Sequence, residues 1–553
     1  MSSIPFFILI YIYAFIGLFQ FIQGVNIKKC NLQNPGNDPI ACTENGPVKG
    51  RRSGQFPNVV FFKGIPFASP PIKSLRWKEP KPVSNWNGIK DTTNYGSPCA
   101  QPNDYIGYYG SEDCLFLNVF TTSSSIGKTN NLSAVFVWIH GGAFSIGSAP
   151  GGPWDGEGLA NKGIVYVSIQ YRLGPLGFLA HPALAKENPK IHGNYGLLDQ
   201  LFAIKWVKNN IINFGGDPER ITVGGQSAGA ISTYSLTFSP LSSNLFKAAI
   251  IQSSGAFYPD DNIISWLSLY TIQEAENVGI NHLSKINVDK NSNANQLRDI
   301  PVDQLFKPKW GGFQWHPILD GYVIKQSYKQ SLKNGLPNQV HILMGFNYDE
   351  FGASPTNKVN LQQYKQNGNN MYRDLANTYF QLYPANDDLS ATKITNTAIR
   401  EYNKITQNMW GQLWLKNSKR SLYQYIWNHP IPEYFSSKTS FKLVQQSIRT
   451  ENTEGSYHGE EIPYFLNTYY TNPIINNNPN ERSIADKMSS YIVNFVNKYD
   501  PNGGQLPKWS KQGINEKTIM SLGNLFGDIP LADNQLDKKM NFIKQYLASK
   551  NIL

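Results

Sequence analysis

The chain has 553 residues, of which 41% are apolar, 13% aromatic and only 16% charged, a composition that can bury a large core and excludes a predominantly disordered polymer. Its formal net charge of +11 comes from dispersed lysines and arginines, without the basic helix or aromatic platform of a nucleic-acid binder. That leaves a soluble basic surface, with a mild preference for anionic membrane or polysaccharide surfaces as the residual reading.

Residues 4–22, inside MSSIPFFILIYIYAFIGLFQFIQG, are apolar and carry no charged side chain, which reads as the h-region of a secretory signal cleaved near Gly24. No Lys or Arg precedes the run and its length approaches that of a bilayer span, so an uncleaved anchor is the alternative. No later segment reaches spanning length, and the carboxyl end YLASKNIL carries neither a retention signal nor a GPI-type tail. The expectation is a signal peptide over 1–24 and a single domain over 25–553, secreted or held in the lumen of a secretory or storage vesicle, with no stable membrane span once the signal is removed.

Four cysteines, Cys30, Cys42, Cys99 and Cys114, fit an oxidising compartment and allow three pairings. The local choice, Cys30 with Cys42 and Cys99 with Cys114, closes two short loops. Zinc is disfavoured because the spacings lack a C-x-x-C knuckle. One glycosylation sequon is present, Asn131-Leu132-Ser133.

From about residue 130, short apolar runs alternate with helical patterns: AVFVWI, GIVYVSI, an amphipathic stretch over 197–214, RITVGG, AAIIQS and VHILMGF. In the amphipathic stretch Leu197, Leu201, Ile204, Lys208 and Ile211 recur at three- and four-residue steps, the helical period. Strands alternating with helices predict an α/β domain with a mostly parallel central sheet and helices on both faces. The Asn-rich pieces KQNGNNM and IINNNPNE read as surface loops, and the length implies long insertions around that sheet.

In ITVGGQSAGA, Ser227 stands between Gly225 and Gly229, directly after a β-branched run and before a helical pattern. A lone G-x-S-x-G is weak, but strand, tight turn and helix are what a nucleophile elbow requires, and the glycines remove side chains that would crowd the turn. A neutral serine needs a base, an orienting carboxylate and donors for an oxyanion. VWIHGGAF ends a buried-type strand in Gly141 and Gly142, whose N–H groups, with that of Ala228, are the candidate oxyanion hole. GFNYDEFG offers Glu350, and GSYHGEEIPYFL offers His458 in a glycine-flanked loop. Taken singly, each is more often a turn, a solvated carboxylate or a satisfied histidine.

Together with FKGIPFASPP, LRWKEP, SEDCLFLNVF and YRLGPLGFL, these segments run in an order that resembles the type-B carboxylesterase and lipase family, the α/β-hydrolases that include the cholinesterases. The resemblance implies the α/β-hydrolase fold and serine carboxylic-ester hydrolysis through an acyl-enzyme, with Ser227 as nucleophile, Glu350 as triad acid, His458 as base and Gly141, Gly142 and Ala228 as oxyanion hole. It also implies a Cys99–Cys114 disulfide and a structural salt bridge between Arg76 and Glu112.

Departures from the family pattern bear on substrate. Gln226 precedes the serine where most relatives carry glutamate, and Phe351 follows Glu350 where glycine is usual, which leaves Asp349 as a backup acid. PNDYIGYYGSEDC has Tyr105, Tyr108 and Tyr109 but no tryptophan to face a quaternary ammonium, which argues against choline esters. In WGGFQWHPILDG the resemblance puts Gly311 and Phe313 at the acyl-pocket wall, with Gly311 replacing one of two phenylalanines. Acyl chains longer than acetyl are therefore expected to fit. The partner is a small-molecule or lipid ester, with a true lipase as the nearer variant; no nucleic acid, metal or cofactor is implied. A catalytically silent secreted structural, storage or adhesion protein on the same fold is the alternative.

Overall fold

The computed structural model describes residues 38–254, 269–308, 314–336, 338–350, 352–354, 356–432 and 455–550. The signal segment 1–24, Cys30, Gly311, Phe313 and Phe351 lie outside them.

Eleven strands form one sheet, numbered here within it: β1 (Arg51–Arg52), β2 (Val59–Pro66), β3 (Phe116–Thr122), β4 (Ser133–Ile139), β5 (Val165–Ile169), β6 (Gly216–Gln226), β7 (Ala248–Gln252), β8 (His341–Asn347), β9 (Leu422–Asn428), β10 (Thr518–Gly523) and β11 (Gly527–Pro530). Their spatial order is β11-β10-β9-β8-β7-β6-β4-β5-β3-β2-β1. From β5 to β10 every neighbouring pair is parallel, whereas β1 to β3 and β11 join antiparallel. This is the expected mostly parallel α/β sheet, extended at both edges by antiparallel strands.

The central strands are apolar at nearly every position because both faces are covered, as parallel sheets require. Successive side chains point to opposite faces. Val135, Val137 and Ile139 of β4 thus join one core with Val223, Ile251 and Met344, while Phe136 and Trp138 join the other with Ile250 and Leu343. Helices α1 (Tyr195–Asn210), α2 (Ala228–Phe238) and α3 (Asp388–Asn417) contribute Leu201, Ile204, Tyr234, Trp410 and Trp414 to the first core. Helix α4 (Pro479–Lys498) covers the second with Met488, Tyr491, Ile492 and Phe495.

The predicted helix over 197–214 is two pieces, because after Asn210 the chain tightens into a 3-10 turn over Ile211–Phe214 that ends at Gly215 with φ 80°. Lys208, placed on its apolar stripe, reaches Glu219 at 2.9 Å near the surface. A buried bidentate pair, Arg172 with Asp199, anchors α1 to the chain leaving β5, with N···O distances of 2.7 Å. Arg76 grips Glu112 in the same two-pronged way at 2.6 and 2.7 Å, the salt bridge expected from the resemblance. Cys99 is bonded to Cys114, and Cys42 is also disulfide-bonded. Asn131 is exposed just ahead of β4. No described helix is long and apolar enough to cross a membrane.

Register aligns the carboxyl ends of four strands. Ile139 of β4 lies opposite Gly225 of β6, Gln226 opposite Gln252 of β7, and Gln252 opposite Gly345 of β8. The chain leaves β4 to build β5 on one side and returns to place β6 on the other, which opens a crevice above the strand ends, the usual ligand position in such sheets.

Candidate active site

Ser227 lies between the last residue of β6 and the first of α2, at φ 59° and ψ −126°. That left-handed backbone is costly for a non-glycine residue, on the order of 1–3 kcal/mol, and persists only where surroundings hold it. Here the serine N–H donates to Gln252 O at 2.9 Å and its carbonyl accepts from Ile231 N at 2.9 Å, so strand ladder and helix grip it from both sides. A Cβ on Gly225 would lie 2.4 Å from Ile139 O, and one on Gly229 only 2.0 Å from the same oxygen. The glycines are therefore demanded by a neighbouring strand as well as by the turn.

Gly141 follows β4 by two residues, and a Cβ built on it would stand 3.0 Å from Ser227 Cβ. The loop holding Gly141 and Gly142 thus packs directly on the serine. Ala228 is the first residue of α2, where N–H groups have no intrahelical acceptor and the helix dipole favours negative charge. Gly141 thus lies against the serine from the end of β4 and Ala228 follows it along the chain, with Gly142 the next residue of the glycine loop.

His458 Nδ1 lies 2.5 Å from Glu350 Oε2. The other carboxylate oxygen of Glu350 accepts from Ser253 Oγ at 2.7 Å and Asn347 N at 2.5 Å. Asp349, the backup acid, is engaged elsewhere. It pairs with Arg400 and accepts from Ser456 N at 2.9 Å, because the chain after β8 turns the two successive carboxylates to opposite partners. On the far side of the imidazole, His458 Nε2 is 3.2 Å from Gln226 Nε2, on the residue directly before Ser227. With the Nδ1 proton on Glu350, Nε2 is an acceptor and the Gln226 amide donates to it, an arrangement that suits neutral histidine.

Sequence reasoning missed a second buried carboxylate. Glu461 accepts from Asn347 Nδ2 at 2.7 Å and Gln252 Nε2 at 3.3 Å. Burial, reinforced by the charge of Glu350, pushes its pKa up to about 7. It was visible in YHGEEIPY, three residues beyond His458, but an exposed glutamate and a buried one read alike in a string of letters. Ser253, Gln252 and Asn347 sit at strand ends and gave no signal of their own. Burial also opposes a charge on His458, yet the charge and hydrogen bond of Glu350, with Glu461 behind, outweigh it and raise its pKa above the ordinary value.

Tyr105, Tyr108 and Tyr109 lie on a hairpin of two short strands, Gln101–Asn103 and Gly107–Tyr109, inside the loop closed by Cys99 and Cys114. Tyr105 is 84% exposed at its tip, while Tyr108 stacks on Phe306 at 6.0 Å between centroids.

The model of the carboxylesterase family matches residues 37–542. The chain is 39% identical over 517 residues to fumonisin B1 esterase of Sphingopyxis macrogoltabida, across 89% of this chain and 88% of that protein. It is 30% identical over 522 residues to acylcarnitine hydrolase of Mus musculus, across 88% of each. Among solved structures it is similar to a PNB esterase with a TM-score of 0.71 at 24% identity, covering 91% of this chain and 99% of that one.

The electrostatics predict a titration. A raised pKa means that His458 gains its proton at a higher pH than a free imidazole, so its NMR midpoint is expected above about 6.5. Gln226→Glu puts a carboxylate beside Nε2 and should lift that midpoint by a further one pH unit or about that. A midpoint below 6, or one indifferent to the substitution, contradicts the contacts described.

Proposed function

The chain belongs to the carboxylesterase family, whose chemistry is carboxylic-ester hydrolysis, and from that premise we propose an acyl-enzyme mechanism centred on Ser227. His458 Nε2 exchanges the Gln226 amide for the Ser227 hydroxyl and accepts its proton as Oγ attacks the ester carbonyl. The N–H groups of Gly141, Gly142 and Ala228 receive the developing oxyanion, and His458 returns the proton to the leaving alcohol. Water then repeats the sequence on the acyl-enzyme, restoring the serine. Glu350 holds the Nδ1 tautomer and stabilises the imidazolium that forms in each half-reaction. The observation that carries this reading is the strained Ser227 backbone, pinned at a strand end beside Gly141 and one residue from the contact between Gln226 and His458.

An organophosphate should label Ser227 stoichiometrically, and Ser227→Ala should abolish labelling and lower kcat/KM about 10⁴-fold or more while unfolding normally. Residual turnover close to wild type in a folded Ser227→Ala protein overturns the mechanism. The acid limb of kcat/KM should follow the His458 midpoint.

The substrate class is an ester with an acyl group larger than acetyl. The support is the glycine at 311, where the resemblance puts an acyl-pocket wall, together with relatives named for fumonisin B1 and acylcarnitine. Across p-nitrophenyl acetate, butyrate and hexanoate, kcat/KM should rise or hold level; strict preference for acetate refutes this.

The chain is further proposed to be secreted or luminal, with residues 25–553 as one mature domain. Its apolar first residues, the exposed sequon at Asn131 and the Cys99–Cys114 disulfide support this. Protein recovered from the secretory route should begin near residue 25 by mass spectrometry and lose mass at Asn131 on deglycosylation, whereas an intact Met1 in soluble cytosol contradicts it.

A further inference from the structure

We infer that Gln101 is a positioning residue for the oxyanion hole: its side-chain amide clamps Gly147, at the far end of the loop bearing Gly141 and Gly142, to the disulfide-closed hairpin. This rests on the role proposed above for those two glycines.

Gln101 is 1% exposed. Its Oε1 accepts from Gly147 N at 2.8 Å and from Tyr109 Oη at 2.8 Å. Its Nε2 donates to Gly147 O at 2.8 Å and to Cys99 O at 3.0 Å. A primary amide has two donors and two lone pairs, so every hydrogen-bonding position of this one is used. Because a backbone N–H can only donate, Gly147 also fixes which end of the amide is oxygen. Both backbone groups of one residue are thus read by a single side chain from 46 residues earlier in the chain.

What Gly147 touches gives the clamp its meaning. Its φ is +109°, and a Cβ there would fall 2.4 Å from Gly141 O and 2.6 Å from His140 Nδ1. The bare backbone of Gly147 therefore lies against the carbonyl of Gly141. That carbonyl and the Gly142 N–H belong to one planar peptide unit, so holding the oxygen aims the N–H. His140 holds the same oxygen from a second direction, with Nδ1 2.8 Å away. Burial lowers the His140 pKa to about 4, so the ring is neutral, and facing a carbonyl its Nδ1 must carry the proton.

Between the two ends the loop is strained. Ala143 and Phe144 take φ of 52° and 57°, a region that side-chain-bearing residues avoid. Inside it, Gly142 O accepts from Ser145 N at 3.0 Å and Ile146 N at 2.9 Å. Strained turns hold one geometry only when their surroundings over-determine it. The start is secured by β4, and Gln101 secures the end.

Gln101→Met keeps length and bulk while deleting all four hydrogen bonds. In the full chain, kcat on a p-nitrophenyl ester should fall about 10- to 100-fold with KM within about threefold. Affinity for an aryl trifluoromethyl ketone, whose adduct with Ser227 puts an oxyanion in the hole, should weaken by the same factor as kcat/KM. The acid limb should not move, because no charged group near His458 changes. Tyr109→Phe removes a hairpin bond but leaves both Gly147 bonds, and should stay within about threefold of wild type.

A wild-type kcat in Gln101→Met overturns the clamp. So does a loss confined to KM, or one accounted for wholly by fewer titratable active sites. Should the Met variant fail to fold, Gln101→Glu retains both acceptor bonds and loses both donors, and the same ratio of kcat to inhibitor affinity decides. If folded Ser227→Ala remains active, the underlying reading falls and the clamp with it. If Ser227 is required and Gln101→Met is fully active, the clamp alone falls.

Discussion

The carbonyl oxygen of Ile139 occupies the space that side chains at 225 and 229 would need, and the geometry of the whole site follows from that contact. With no Cβ at either position, the end of β4 closes onto the turn leaving β6. In that turn Ser227 takes its left-handed backbone. The same approach brings Gly141 against Ser227. One steric fact therefore sets three things at once: the place of the serine at the strand ends, the nearness of the glycine loop, and the start of α2 directly after the turn. The parallel sheet is what makes the contact possible, since it aligns the ends of β4, β6, β7 and β8 at one level.

That alignment also explains why residues far apart in sequence act as one buried network. Glu350 follows β8, Ser253 and Gln252 end β7, and Gln226 ends β6, so their side chains meet across neighbouring strand ends. Asn347, at the end of β8, bridges the two carboxylates. Its backbone N–H serves Glu350 and its side-chain amide serves Glu461. Buried carboxylates are tolerable only when their lone pairs are filled in this way.

Much of this was legible in the letters. Patterned apolar runs announced the parallel core, and the glycines around Ser227 announced the elbow, because both signals are local. What stayed hidden was non-local or symmetric to the eye. Val59–Pro66 and Phe116–Thr122 join the sheet antiparallel, and no periodicity in either reveals where it pairs. Asp349 and Glu350 are adjacent acids in sequence, and only the path after β8 sends one to Arg400 and the other to His458. Gln101 and Glu461 are ordinary polar residues until burial is known. The family resemblance supplied the choice of Glu350 that composition and spacing left open.

The charge balance around His458 gives Gln226 a physical meaning. Two carboxylates already lie within its electrostatic reach, one of them bonded to Nδ1, and both favour the imidazolium. A general base must nonetheless be neutral when the substrate arrives. Burial pulls in that direction, and so does an amide that donates to Nε2 without adding charge. Glu461, with its pKa lifted to about 7, is not a full negative charge near neutral pH and weakens the opposing field. A third carboxylate at position 226 would add to the charges that favour the imidazolium. The uncharged amide adds nothing to that side of the balance, while Glu350 is close enough to stabilise the cation once the proton has moved.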